Sequence, residues 1–167
     1  PNMHRFEKTD KRLAARCMML LLGVIILVTA CRKSDFSHEN QFNRSYRTWL
    51  DFKKSSLDSY VYRVNSGSWT GVSTETTITG KSGTVVQRDY ARKNIDRATS
   101  QPVTEESWSE SRDNLNAHAY GASPLTLDAV YEKARTEWLV NREGAKISFT
   151  TDNAGMISSC GYTENGC

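Results

Sequence analysis

From residue 45 onward the spacing of apolar positions changes repeatedly, and each change predicts a different element. Between Ser45 and Leu57, the residues Tyr46, Trp49, Leu50 and Leu57 recur at helical spacing, with Phe42 just ahead of them. An amphipathic helix is expected there. Tyr60, Tyr62 and Val64 then alternate with Val61, Arg63 and Asn65, the period of two that marks a half-buried strand. Val72, Thr74, Thr76 and Ile78 carry the alternation into a Thr-rich second strand, and Val86, Arg88 and Tyr90 into a third. Asn65-Ser66-Gly67-Ser68 and Gly80-Lys81-Ser82-Gly83 supply the turn residues between them. Together these predict a three-stranded antiparallel meander.

Residues 98–123 are less periodic. Thr104-Glu105-Glu106 predicts a short helix through Trp108, Leu115 and Ala119, ended by Gly121-Ala122-Ser123-Pro124. The clearest helix comes next. Thr126 caps it, Leu125 and Val130 form a hydrophobic staple, and Leu127, Val130, Tyr131, Ala134 and Trp138 make one apolar stripe before Gly144 closes the segment. Ile147 and Phe149 alternate on a further strand, Asp152-Asn153-Ala154-Gly155 turns, and Met156 to Tyr162 returns. One-sided stripes on both helices predict an α+β fold: an antiparallel sheet of about five strands with two main helices packed mostly on one face.

The first thirty residues follow a different logic. A basic region with Arg5, Lys8, Lys11, Arg12 and Arg16 precedes an apolar run from Cys17 to Val28, then the small residues Thr29 and Ala30. This is the three-part layout of a secretory signal. The apolar run has 12 residues, short of the roughly 20 that span a bilayer, which disfavours a retained anchor. Leu27-Val28-Thr29-Ala30-Cys31 resembles the lipobox of bacterial lipoproteins. That resemblance implies cleavage before Cys31 and acylation of its thiol; Ala30 would also suit a conventional signal peptidase. Two or three acyl chains would hold the protein stably on a membrane. The expected organisation is a signal peptide over 1–30, a lipidated Cys31 with a polar tether over 31–43, and a single domain over 44–167. Met3 is the expected start, and a chain stopping on Cys167 leaves a truncated C-terminus open. By the same resemblance, Arg32 favours the outer membrane in an envelope with two membranes.

Charge and cysteine content change once the leader is set aside. The chain holds 22 Lys and Arg against 19 Asp and Glu, and residues beyond 30 hold 17 of each. The basic excess therefore belongs to targeting, and a nucleic-acid partner, which calls for a clear positive surplus, is not expected. Four Trp and seven Tyr speak for a folded domain rather than a disordered one. Cys160 and Cys167 remain after Cys17 and Cys31, and in an oxidising envelope they read as a disulfide, with Asn165-Gly166 turning one back towards the other. Two separate thiols are the alternative.

Candidate chemistry is sparse. His38 and His118 are the only histidines beyond the leader, and neither has neighbours at ligand spacing, so no metal or cofactor is expected. Ser107, Ser109 or Ser111 with His118 would be the parts of a nucleophilic site, but no Gly-x-Ser-x-Gly elbow is present. Glu105, Glu106, Glu110 and Asp113 include enough carboxylates for glycoside hydrolysis, though carboxylates so close in sequence read more simply as a solvated face. Lys81, Arg88, Arg92, Lys93 and Arg97 form a mild basic cluster, either facing anionic lipid or lying on a solvated strand. Trp69 and Trp108 are the candidate partner-binding residues, with core packing as the alternative.

Tyr60-Val61-Tyr62-Arg63, the stretch Thr77 to Val86 around Gly80 and Gly83, and Thr126-Leu127-Asp128-Ala129-Val130-Tyr131 resemble a group of small bacterial lipoproteins of unknown function. These have a Tyr-rich strand, a strand–Gly turn–strand, a Thr-x-Asp-x-x-Tyr helix and a final hairpin. Some relatives carry cysteine pairs in the first strand, where this chain has Val64, Asn65 and Ser66. The resemblance implies a fold and a location but no catalytic residues. The expectation is a lipid-anchored, non-enzymatic cell-envelope protein that binds a protein partner or a cell-wall glycan. An inhibitor of an envelope or foreign hydrolase is the alternative, and a small hydrolase using the 105–118 segment comes third.

Overall fold

The computed structural model describes residues 36–166, all within one compact unit. The leader, Cys31, Arg32 and Cys167 lie outside the described residues. Helix α1 spans Glu39–Ser55, so residues 39–43, expected to belong to the polar tether, are helical. Phe36 already bridges Val140, and the Ser37 amide donates to the Leu139 carbonyl at 2.7 Å. Two phenylalanines in an otherwise polar stretch explain this, since Phe36 packs edge-on against the buried Phe42 at 5.5 Å. The buried stripe of α1 is Phe42, Ser45 and Trp49. Tyr46 and Leu50 sit at its margin, and Leu57 lies past the helix end, exposed, with a φ of 52°. A serine belongs in the stripe because its hydroxyl is 2.9 Å from the Tyr131 hydroxyl.

Strands β1 (Tyr60–Gly67), β2 (Ser73–Lys81), β3 (Thr84–Ile95) and β4 (Pro102–Ser111) form an antiparallel sheet in that order. β4 replaces the helix expected from Thr104. Its Glu and Ser residues carry little strand preference, but pairing Trp108 with Tyr90 and Glu110 with Arg88 overrides that local signal. The first turn falls later than Asn65–Ser68: β1 pairs through Gly67, and Ser68-Trp69-Thr70-Gly71 makes the turn, with the Ser68 amide on the Val72 carbonyl at 2.8 Å. The second turn is Ser82-Gly83, both at positive φ, the backbone pattern of a type I′ hairpin. Gly80 is glycine for space: a Cβ there would lie 2.5 Å from Cζ of Tyr60.

After β4 the chain makes one 3₁₀ turn (Arg112–Asn114) and crosses back over the sheet as an irregular strap. Helix α2 (Leu127–Lys133) follows, with Thr126 capping it by accepting from the Ala129 amide at 3.2 Å. It continues as a π-helical turn over Ala134–Trp138, in which the Leu139 amide bonds the Ala134 carbonyl five residues back. The wider turn advances the stripe by one residue. Leu139 is fully buried beneath Ala134, and Trp138 is left half-buried.

Strands β5 (Ala145–Thr150) and β6 (Ser159–Glu164) pair only with each other. Among the described residues the fold is thus α+β, and the expected count of about five strands is roughly met, with four strands in one antiparallel sheet and two in a separate one. The hairpin enters the core through side chains, above all Phe149, instead of extending the main sheet by backbone bonding. The core comprises Phe42, Trp49, Tyr60, Tyr131, Ala134, Leu139 and Phe149, with Tyr62 packed beside it. Among the described residues of the four-stranded sheet, Tyr60 and Tyr62 of β1 belong to this core or pack on it. The strap lies over Thr76, Arg88, Tyr90 and Glu110 of the other strands.

Candidate functional site

The covered face of the sheet carries a polar row under the strap. Each strand contributes an anchor. On β4, Glu110 is fully buried and accepts from the amides of Asn116 and His118, both at 2.7 Å. On β3, Arg88 is equally buried, lies 3.2 Å from Glu110, donates to Oδ1 of Asn116 at 2.8 Å, and reaches the carbonyls of His118 and Tyr120. On β2, Thr76 accepts from the Ala122 amide at 3.0 Å. On β1, the Tyr62 hydroxyl donates to the Leu125 carbonyl at 2.7 Å, and the Tyr60 hydroxyl accepts from the Leu127 amide at 3.0 Å. The strap has almost no secondary structure of its own, so these side chains satisfy its main-chain groups.

Desolvation pushes the Glu110 carboxyl up, but the two amides, the His118 ring and the Arg88 charge outweigh it and hold the group below its ordinary value. A depressed carboxyl contributes stability that is complete above its unfolded value and is lost as pH falls through the folded one. Urea midpoints measured from about pH 7 down to about pH 3 should therefore fall more steeply for the wild type than for Glu110→Gln. Parallel acid limbs would show that Glu110 does not carry the effect.

The same cluster shows where several of the sequence candidates lie. His118, which has no ligand at short spacing in the sequence, lies with Nδ1 3.0 Å from Oε1 of Glu110. None of the three serines joins it. Ser107 and Ser109 alternate with Trp108 and Glu110 and so face the other side of the sheet, where Ser109 bonds Asp89 at 2.5 Å. Ser111 bonds Asn114. Glu105 pairs with Arg92 at 3.1 Å, and Arg88 lies in the interior rather than on a solvated basic face. Trp108 is stacked between Tyr90 at 5.0 Å and His118 at 4.3 Å, with the Arg88 guanidinium 4.7 Å from its ring. Trp69, by contrast, is 97% exposed at the tip of the β1–β2 turn. Among the described residues, no group of three or more His, Cys, Asp or Glu could hold a metal ion, and no helix is long and apolar enough to cross a membrane.

The Thr-x-Asp-x-x-Tyr motif turns out to be architectural. Thr126 caps α2. Asp128 accepts from Trp49 Nε1 at 2.9 Å and from Lys53, fastening α2 to α1. Partial burial pushes the Asp128 carboxyl up, but the Lys53 and Trp49 hydrogen bonds and the Lys53 charge bring it below its ordinary value. The Tyr131 hydroxyl donates to the Ser45 carbonyl at 3.1 Å and accepts from the Ile157 amide at 3.3 Å.

What remains is an open groove of about 1100 Å³ beside β1. One wall is β1 from Tyr60 to Asn65; the others come from Leu125, α2 with Trp138, and the segment from Met156 to Cys160. Sequence reasoning missed it because it exists only where the final hairpin fails to join the main sheet. Cys160 lines it, half-buried, and as a free thiol would be pushed up to about 12 by burial; its expected disulfide partner, Cys167, lies outside the described residues. No family model, curated protein or solved structure matches the chain.

Proposed function

We propose that this chain is a non-enzymatic cell-envelope protein, anchored by acyl chains on Cys31, whose domain binds a protein partner or a cell-wall component. The observation that carries the binding role is the groove. It is open and concave, walled by Tyr60, Leu125, Val130, Trp138 and Met156 together with the polar groups of Arg63, Asn65, Asn153 and Ser158, and clefts that combine apolar walls with polar groups are where ligands are held. The lipobox resemblance supports the anchor. A chain beginning at residue 31 and carrying Cys31→Ser retains residues 36–166, which make up the described domain. Immobilised, it should retain one specific envelope protein or glycan, and Trp138→Ala should weaken that retention. An empty capture by the folded domain would overturn the reading.

Trp69 favours a second reading. A single tryptophan at a turn tip, almost wholly in solvent, suits insertion into an enzyme's cleft, as in an inhibitor of an envelope or foreign hydrolase. A panel of lysozymes and proteases unaffected by the domain would remove it.

A further inference from the structure

The groove's long wall is an unpaired strand edge. β1 is terminal in the order β1-β2-β3-β4, and its register with β2 runs unbroken from Tyr60↔Gly80 to Gly67↔Ser73. In an antiparallel pair, alternate residues turn their N–H and C=O groups to the neighbour and the others turn them away. Among the described residues, no backbone hydrogen bond reaches Tyr60–Gly67 from anywhere but β2. Exposed edges are normally blunted by proline, charged side chains, bulges or shortness. This one is eight residues long, with no proline or bulge and Arg63 as its single charge, and carries Val61 and Val64 exposed.

The charge around it is one-sided. Among the described residues, Arg63 and Lys133 are the only ionised ones lining the groove, and no carboxylate is among them. Lys133 is taken by Glu137, whereas Arg63 makes no ion pair or hydrogen bond among the described residues. Side chains alternate along β1, so Tyr60, Tyr62 and Val64 face the covered side and Val61, Arg63 and Asn65 the open side. Whatever lies along this edge meets Tyr60, Tyr62 and Val64 on one side, and the unpaired Arg63 guanidinium beside Val61 and Asn65 on the other.

Resting on the binding role proposed above, we infer that the partner is another protein's extended segment, added to β1 as a fifth strand, with apolar residues alternating with an acidic one. The main-chain bonds supply affinity, and the alternating side chains supply the choice of partner. The apolar set is seated against Leu125, Val130, Trp138 and Met156, and the carboxylate is held by Arg63.

Selection of displayed random dodecapeptides on the immobilised Cys31→Ser chain tests this. Enriched peptides should alternate apolar and polar residues, with Asp or Glu on the polar side. N-methylation of the best peptide should abolish binding at every second residue and leave it intact at those between. Arg63→Glu should weaken it about tenfold, with an unchanged melting curve, since Arg63 is exposed and unpaired. Peptides that bind but ignore N-methylation and Arg63→Glu would overturn strand addition while leaving the binding role standing. So would an envelope glycan retained in the absence of any enriched peptide, or a concentration-dependent dimer abolished by Val64→Lys, which would make a second copy the occupant. No peptide, no dimer and no retained envelope component would overturn both readings.

Discussion

Arg88→Met is expected to destabilise the domain by about 3–5 kcal/mol, the scale for removing one partner of a buried ion pair. Against a total of about 5–15 kcal/mol for ordinary domains, that leaves a marginally folded protein. The loss has two parts. Glu110, fully buried, is left without its cation, and the Asn116 side chain and the carbonyls of His118 and Tyr120 lose their donor. Buried ion pairs elsewhere are often replaceable by apolar residues at no cost, and the double variant Arg88→Met, Glu110→Leu separates that general case from this one. Here Glu110 also accepts two amides of the strap, so the double variant should recover little. Urea denaturation of the two variants decides it; full recovery in the double variant would mean that the strap does not depend on the pair.

The second large effect is expected at Trp49. It is fully buried, stacked on Tyr131 at 6.3 Å and edge-on to Tyr60 at 5.4 Å. It is therefore where α1, α2 and the main sheet meet. Trp49→Ala should cost about 3–5 kcal/mol, the range for deleting a large core aromatic. Trp49→Phe keeps an aromatic ring but removes the indole donor to Asp128, and should fall between alanine and the wild type. If the phenylalanine variant melts with the wild type, the bond to Asp128 adds nothing beyond packing.

How much of this was legible in the sequence depends on how local each signal is. The alternation of Tyr60 and Tyr62, the Ser82-Gly83 turn and the cap at Thr126 are fixed by neighbouring residues, and the structure has all three. β4 was not legible because Thr104 to Ser111 has weak propensity and becomes a strand only against β3. The strap anchors were hidden for a related reason. An arginine and a glutamate 22 residues apart look like surface charges until register places them opposite each other in the interior. The groove was least legible of all, since it depends on a hairpin that pairs with itself instead of with β1.

The strap also bears on which positions in this chain are free to drift. The sheet holds it almost entirely by main-chain atoms: amides at Asn116, His118, Ala122 and Leu127, carbonyls at His118, Tyr120 and Leu125. Any amino acid but proline offers those amides, so much of the strap can change identity while its path stays fixed. Three positions differ: Asn116 and His118, whose side chains take part, and Gly121, at φ +86° with Thr76 and Tyr90 each 3.1 Å from where a Cβ would stand. The anchors beneath have no such latitude. In this domain the irregular segment is the tolerant partner, and the memory of its shape is kept by five side chains of the sheet.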